Sequence, residues 1–278
     1  MLHIEKTTYR RELNNDGKWG KLMDKYELSH LLLASPPVDK IMFIQDACRG
    51  KEVLDLGCIR HNAEFATKDP RWIHQKIRDA AKTVIGIDYL DEEVEKLKKL
   101  GYDIRFGDVT KPLPLTVQFD VIVAGDLIEH LTNFEGFFKN CSRLLKRGGV
   151  LIISTPNPFF SDEFHYVSYK RNFLINPEHT CWIDPQALSQ LSQRYGFSIA
   201  EIHFIKKSWS LSNFICEKKG YEYDIINDAW SDNSFIRKCI HYAVGKLFGL
   251  FYLPYKTLFF SNTKMVRYSD YIAVLRQD

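Results

Sequence analysis

Four short apolar runs, spaced so that a helical pattern fits between one and the next, restrict this chain to a small set of folds. Glu52 to Leu56 (EVLDL), Thr83 to Ile87 (TVIGI) and Phe119 to Ala124 (FDVIVA) are rich in β-branched residues and close on Gly or Asp. The fourth, Gly149 to Ser154 (GVLIIS), lies between Gly148 and Pro156. Runs that are short, apolar and without alternation suit strands covered on both faces. Between them, Asp91 to Leu100 carries acids in its first turn and lysines in its last, with Gly101 as the stop. Asn133 to Leu145 sets Phe134, Phe137, Phe138, Cys141 and Leu144 on one helical face. This alternation predicts a doubly wound, mostly parallel α/β sheet with its ligand crevice at the carboxyl ends of the strands. Ser198 to Ile205 and Tyr271 to Leu275 read as closing strands antiparallel to each other, with residues 210–265 inserted between them.

Composition narrows the class of protein. A chain of 278 residues with 45% apolar and 26% charged residues has enough core for one large domain, which excludes disordered and disulfide-scaffold classes. Six cysteines lie far apart with no C-x-x-C pair, so neither a zinc ribbon nor a redox dithiol follows, and reduced thiols are expected. The first residues, MLHIEKTTYRRELNNDG, place charges where a secretory signal needs an apolar run, and the expectation is a cytoplasmic protein. The net charge is +3, and its basic excess sits in residues 205–278, with 11 basic against 7 acidic groups, rather than along a stripe, which argues against a nucleic-acid partner.

Val53 to Cys58 (VLDLGC) puts Asp55 at the end of a strand and Gly57 in the turn after it, where a ligand can come close to the backbone. The G-x-G-x-x-G that cradles a pyrophosphate is missing, since Cys58, Ile59, Arg60 and His61 fill that stretch, which counts against a dinucleotide. Asp88 ends the second strand, where a carboxylate can accept from both hydroxyls of a ribose, and Asp108 follows a short third strand. In this order, Asp55-x-Gly57, Asp88, Asp108 and the FDVIVAGD strand end resemble the motif series of class I S-adenosylmethionine-dependent methyltransferases over residues 50–205. The resemblance implies a Rossmann-like, seven-stranded sheet with an antiparallel last strand, with residues 1–47 as a helical lead-in and 48–278 as the methyltransferase domain. It also implies S-adenosylmethionine as cofactor: Gly57 against the methionine moiety, Asp88 on the ribose, Asp108 at the adenine, and Asp55, Cys58, Tyr89, Val109 and Gly125 completing the contact set. The lost glycines and an insert from about Arg60 to Ala81 depart from the family pattern.

For the reaction itself, Gly125 to Leu131 (GDLIEHL) is the central stretch. If a helix starts there, Asp126, Glu129 and His130 stand at i, i+3 and i+4 on one face. These residue types serve either as a general base or as oxygen and nitrogen ligands of a divalent metal, and they can also simply brace a helix. The pattern is similar to the metal-binding one of small-RNA 2'-O-methyltransferases and of ubiquinone-biosynthesis O-methyltransferases. Many related enzymes keep Glu-His with no metal, and no metal residue is assigned here. A second cluster, Pro177 to Trp182 (PEHTCW), resembles the Glu-His segment of glycan and lipid-precursor methyltransferases and would bring His179 opposite His130. His74, in Trp72-Ile73-His74, reads as a packing or surface residue.

The resemblance implies methylation of a hydroxyl on a sugar, glycan precursor or other small metabolite. A metal-assisted RNA 2'-O-methyltransferase and a non-catalytic S-adenosylmethionine-binding protein are the alternatives. Cys239 to Phe260 is rich in Leu, Phe and Tyr but broken by His241, Lys246, Pro254 and Lys256, which speaks against a bilayer span. Residues 235–262 read either as a helical lid or dimer face, or as a peripheral membrane contact.

Overall fold

The computed structural model describes residues 25–161, 176–206 and 264–278. Two helices, α1 (Lys25–Ala34) and α2 (Lys40–Cys48), precede β1 (Glu52–Leu56). Then come α3 (Ala63–Lys68), α4 (Ile73–Ala80), β2 (Thr83–Asp88), α5 (Asp91–Lys99), β3 (Ile104–Phe106) and β4 (Phe119–Gly125). A 3-10 turn (Ile128–His130), α6 (Phe134–Leu144), β5 (Leu145–Pro156), α7 (Pro185–Gln193), β6 (Phe197–Phe204) and β7 (Asp270–Gln277) complete the main elements. The strands form one seven-stranded sheet in the order β3-β2-β1-β4-β5-β7-β6. The first five run parallel, and β7 is antiparallel to both β5 and β6.

Alternate residues of a strand face opposite sides, and both sides of this sheet are covered. Leu54, Leu56, Ile122, Ala124, Leu151 and Ile153 share a cluster with Phe137 and Phe138 of α6. Val53, Val121, Val123 and Ile152 share another with Ile44 and Cys48 of α2 and Ile77 of α4. Double coverage is why the runs are apolar throughout. The caps agree with the sequence: the Asn133 side chain accepts from Gly136 N–H at 3.1 Å to start α6, and Gly101 takes φ +83 after α5.

Two local expectations change. The fourth strand is longer than Gly149 to Ser154, because the chain leaves α6 directly into pairing between Leu145 and Phe119, across an irregularity at Phe119/Val121. No α-helix starts at Gly125 either. Asp126 takes a left-handed φ of +52, which breaks the right-handed run, and only the turn Ile128–His130 forms. The stretch from Arg60 to Ala81 folds as α3 and α4, which join the layers against α5 and α2. Residues 1–24, most of the 210–265 insert and the whole of 235–262 lie outside the described residues. Among the described residues no helix is long and apolar enough to cross a membrane, and Cys48, Cys58, Cys141 and Cys181 are free thiols.

Candidate active site

Neighbouring strand ends place three of the expected contacts side by side. Gly57 follows β1 with φ +67, its N–H donating to Ile87 O at 2.8 Å, and a Cβ there would come within 2.8 Å of Leu127 Cδ1. Both facts call for glycine. Asp88, at the end of β2, is buried; its Oδ2 accepts from Ile59 N–H at 2.8 Å and its Oδ1 from Leu90 N–H at a longer 3.2 Å. Burial raises its pKa, against the opposing pull of those N–H groups. Gly107 N–H donates to Asp88 O at 2.9 Å, which ties the Asp108 loop to the same strand end. Asp108 Oδ1 accepts from Thr110 Oγ1 at 2.7 Å and Thr110 N–H at 2.9 Å. The Thr110 hydroxyl, with Lys111 at 3.3 Å, holds its carboxyl below the ordinary range. Val109 is buried, its carbonyl accepting from Asn140 Nδ2 at 2.8 Å, while Tyr89 is exposed. Gly125 ends β4 with ordinary clearance around it.

These residues fit an adenosyl sulfonium ligand. A cradle that a Cβ would fill lies beside a buried carboxylate, and a second acidic loop stands next to it. Asp55 is placed differently. It points from β1 into the layer beneath α4, where its Oδ2 lies 2.9 Å from His74 Nδ1, both side chains being buried. Cys58 is buried, and burial followed by the charges of Asp55 and Asp88 pushes its thiol well up, so it is no nucleophile.

The histidines meet as expected. His130 and His179 stand edge to face with ring centroids 4.7 Å apart. The irregular segment before α7 is clipped onto the 3-10 turn by Thr180, whose N–H and Oγ1 donate to Glu129 O at 2.9 and 3.1 Å. Leu131 O lies 2.9 Å from the same Oγ1, so the one hydroxyl proton is shared between the two carbonyls. Glu129 is 1% exposed; Thr155 Oγ1 donates to its Oε2 at 2.9 Å, and its Oε1 has no hydrogen-bond partner. Burial, then the charge of Asp126, pushes the Glu129 carboxyl up to about 8. Burial and the neighbouring His130 lower the pKa of His179, so its imidazole is neutral at pH 7. One ligand atom from each of Glu129, His130 and His179 lies within 4.8 Å of the others.

Asp126 does not join this trio. With no helix to put it on a shared face, it forms an ion pair with Lys40, the first residue of α2, and its Oδ1 accepts from Ser154 Oγ at 2.9 Å. Desolvation raises its pKa, and the Lys40 ammonium and the Ser154 hydroxyl outweigh that, leaving the carboxyl below its usual value. Lys40 was not legible as a site residue: a lone lysine before an apolar helix carries no motif. Beside Glu129 and His179 opens a cleft of about 370 Å³, lined also by Thr155, Asn157, Asn176, Trp182 and Asp270.

The family model described as a methyltransferase domain matches residues 27–202. A Mycolicibacterium smegmatis protein named as a probable S-adenosylmethionine-dependent methyltransferase is 33% identical over 159 residues, 55% of this chain. The match spans about half of that relative's own length, 54%. A ubiquinone biosynthesis O-methyltransferase of Coxiella burnetii is 27% identical over 218 residues, covering 70% of this chain and 85% of that protein. Among solved structures, an S-adenosylmethionine-dependent methyltransferase from Mesorhizobium loti covers 85% of this chain and 95% of its own, at 13% identity and a TM-score of 0.47.

Proposed function

The chain belongs to the methyltransferase-domain family of class I S-adenosylmethionine-dependent enzymes, and on that premise we propose that it methylates a hydroxyl of a small acceptor: a sugar, a glycan precursor or another metabolite. The observation that carries this reading is the meeting of His130 and His179 at 4.7 Å beside a cleft next to the strand ends. When bound, the cofactor supplies a methyl group that is already electrophilic, so what the protein adds is placement and proton handling. Gly57, Asp88 and Asp108 hold the adenosyl and methionyl parts, with Tyr89, Val109 and Gly125 along the same strand ends. Trp182, exposed at the cleft, offers a flat apolar face to the acceptor. The His179 imidazole, kept neutral, takes the acceptor's hydroxyl proton at a ring nitrogen as the oxygen gains its methyl. His130, edge-on to it, steadies that ring. Glu129, protonated at neutral pH by burial, serves as a hydrogen-bond donor through its unpartnered oxygen.

A second reading is favoured by the convergence of Glu129, His130 and His179 within 4.8 Å. One carboxylate oxygen and two imidazole nitrogens suit a divalent ion of borderline softness, and the unpartnered Glu129 Oε1 fits such a ligand. An ion held there would polarise the acceptor oxygen. Release of S-adenosylhomocysteine across a panel of hydroxylated acceptors tests the main reading, with His179→Ala expected to lose at least about a hundredfold in kcat. Equal turnover with and without chelator removes the metal, and wild-type turnover in His179→Ala removes the proposed base.

A further inference from the structure

The loop after β1 lacks the glycines that let such a turn close easily, and the insert that follows supplies restraints in their place. Trp72 Nε1–H donates to Cys58 O at 2.7 Å, a buried bond to the backbone of the residue after Gly57. His74, 1% exposed, meets the Asp55 carboxylate at 2.9 Å at the root of the loop. Arg60 pairs with Asp69 across the insert's first turn. From the other side, Asp88 Oδ2 accepts from Ile59 N–H at 2.8 Å, and His61 is held at φ +59, a conformation that a side chain rarely takes. The missing glycine is found on the neighbouring strand. A Cβ at Gly86 would come within 2.6 Å of Cys58 Sγ and 2.9 Å of His74 Cε1, so β2 opens the space that Cys58 and His74 fill.

We propose that Trp72 and His74 are positioning residues for the cofactor, holding the Cys58–His61 loop in its ligand-receiving shape through the Cys58 carbonyl and the Asp55 carboxylate. This rests on the reading that the crevice holds S-adenosylmethionine. Both side chains act from behind the loop. The Trp72 bond fixes the orientation of the Cys58–Ile59 peptide, and the N–H of that peptide reaches Asp88, the carboxylate assigned to the ribose. A loop released from Trp72 therefore also loosens the group that would grip the ligand. A buried carbonyl or carboxylate left without its donor loses more than the bond itself, which makes each contact a strong restraint.

The test is calorimetric binding of S-adenosylhomocysteine to the full chain and to Trp72→Phe, His74→Phe and His74→Asn, with hydrogen exchange of the 57–61 amides in the free proteins. Trp72→Phe keeps an aromatic ring and removes one donor; His74→Asn keeps an N–H near the Nδ1 position. Trp72→Phe and His74→Phe are each expected to bind about tenfold more weakly, with faster exchange confined to the loop. His74→Asn should stay within about threefold of the wild type. Wild-type affinity in Trp72→Phe, or equal losses in His74→Asn and His74→Phe, overturns the proposal. If His74→Phe fails to fold, Trp72→Phe decides alone. A wild-type chain without affinity for the ligand would instead overturn the methyltransferase reading beneath it.

Discussion

At the scale of single residues, two positions of the crevice give direct tests: the missing side chain of Gly57 and the buried carboxyl of Glu129. Gly57→Ala must adopt φ +67 with a Cβ within 2.8 Å of Leu127, so a loss of about 1–2 kcal/mol of stability is expected. Its affinity for S-adenosylhomocysteine should fall by more than that strain alone; calorimetry with an unchanged Kd would rule out a ligand at this turn. Glu129 gives a pH signature. Its carboxyl is raised from 4.5 to about 8 in the folded chain, so the unfolded chain ionises first and stability falls as pH rises between those values. Glu129→Gln has no charge to bury. The melting temperature of the wild type should drop relative to Glu129→Gln from pH 5 to pH 8, and a constant gap would show that Glu129 ionises freely in the fold. Some of this was readable beforehand. Glycine after a strand and carboxylates at strand tips announce themselves, whereas the partners they meet, His74 for Asp55 and Lys40 for Asp126, come from α4 and from α2, 86 residues away in the second pair.

At the scale of elements, the strands were legible because a doubly covered sheet needs unbroken apolar runs, and α5 and α6 because their charges and caps mark both ends. The turn at Ile128–His130 was not legible, since a left-handed aspartate gives no periodic signal. Residues 176–184, before α7, form no helix or strand and are tied to the 3-10 turn by Thr180 and by Cys181 N–H, which donates to Glu129 O at 3.3 Å. Thr180→Val removes the hydroxyl shared between Glu129 O and Leu131 O, and with it part of the hold on His179. A fall of about tenfold in kcat is expected with little change in S-adenosylhomocysteine affinity, because the adenosyl contacts lie on other strand ends. Equal losses in both would mean that Thr180 supports the whole crevice rather than the histidine pair.

At the scale of the whole molecule, β7 joins the parts. It lies between β5 and β6 and buries Tyr271, Ile272, Ala273 and Leu275, and the Tyr271 hydroxyl donates to Ile183 O at 2.8 Å. Removing residues 270–277 would leave β5 and β6 with open edges and an uncovered core face, and cooperative thermal unfolding should be lost. A sharp transition in the truncated chain would show that the first five strands stand alone. The crossing order also has a temporal consequence. As the polypeptide leaves the ribosome, β6 emerges more than sixty residues ahead of the strand that must slide in beside it. Until then it waits with bare hydrogen-bonding edges, the condition in which nascent chains most need a chaperone.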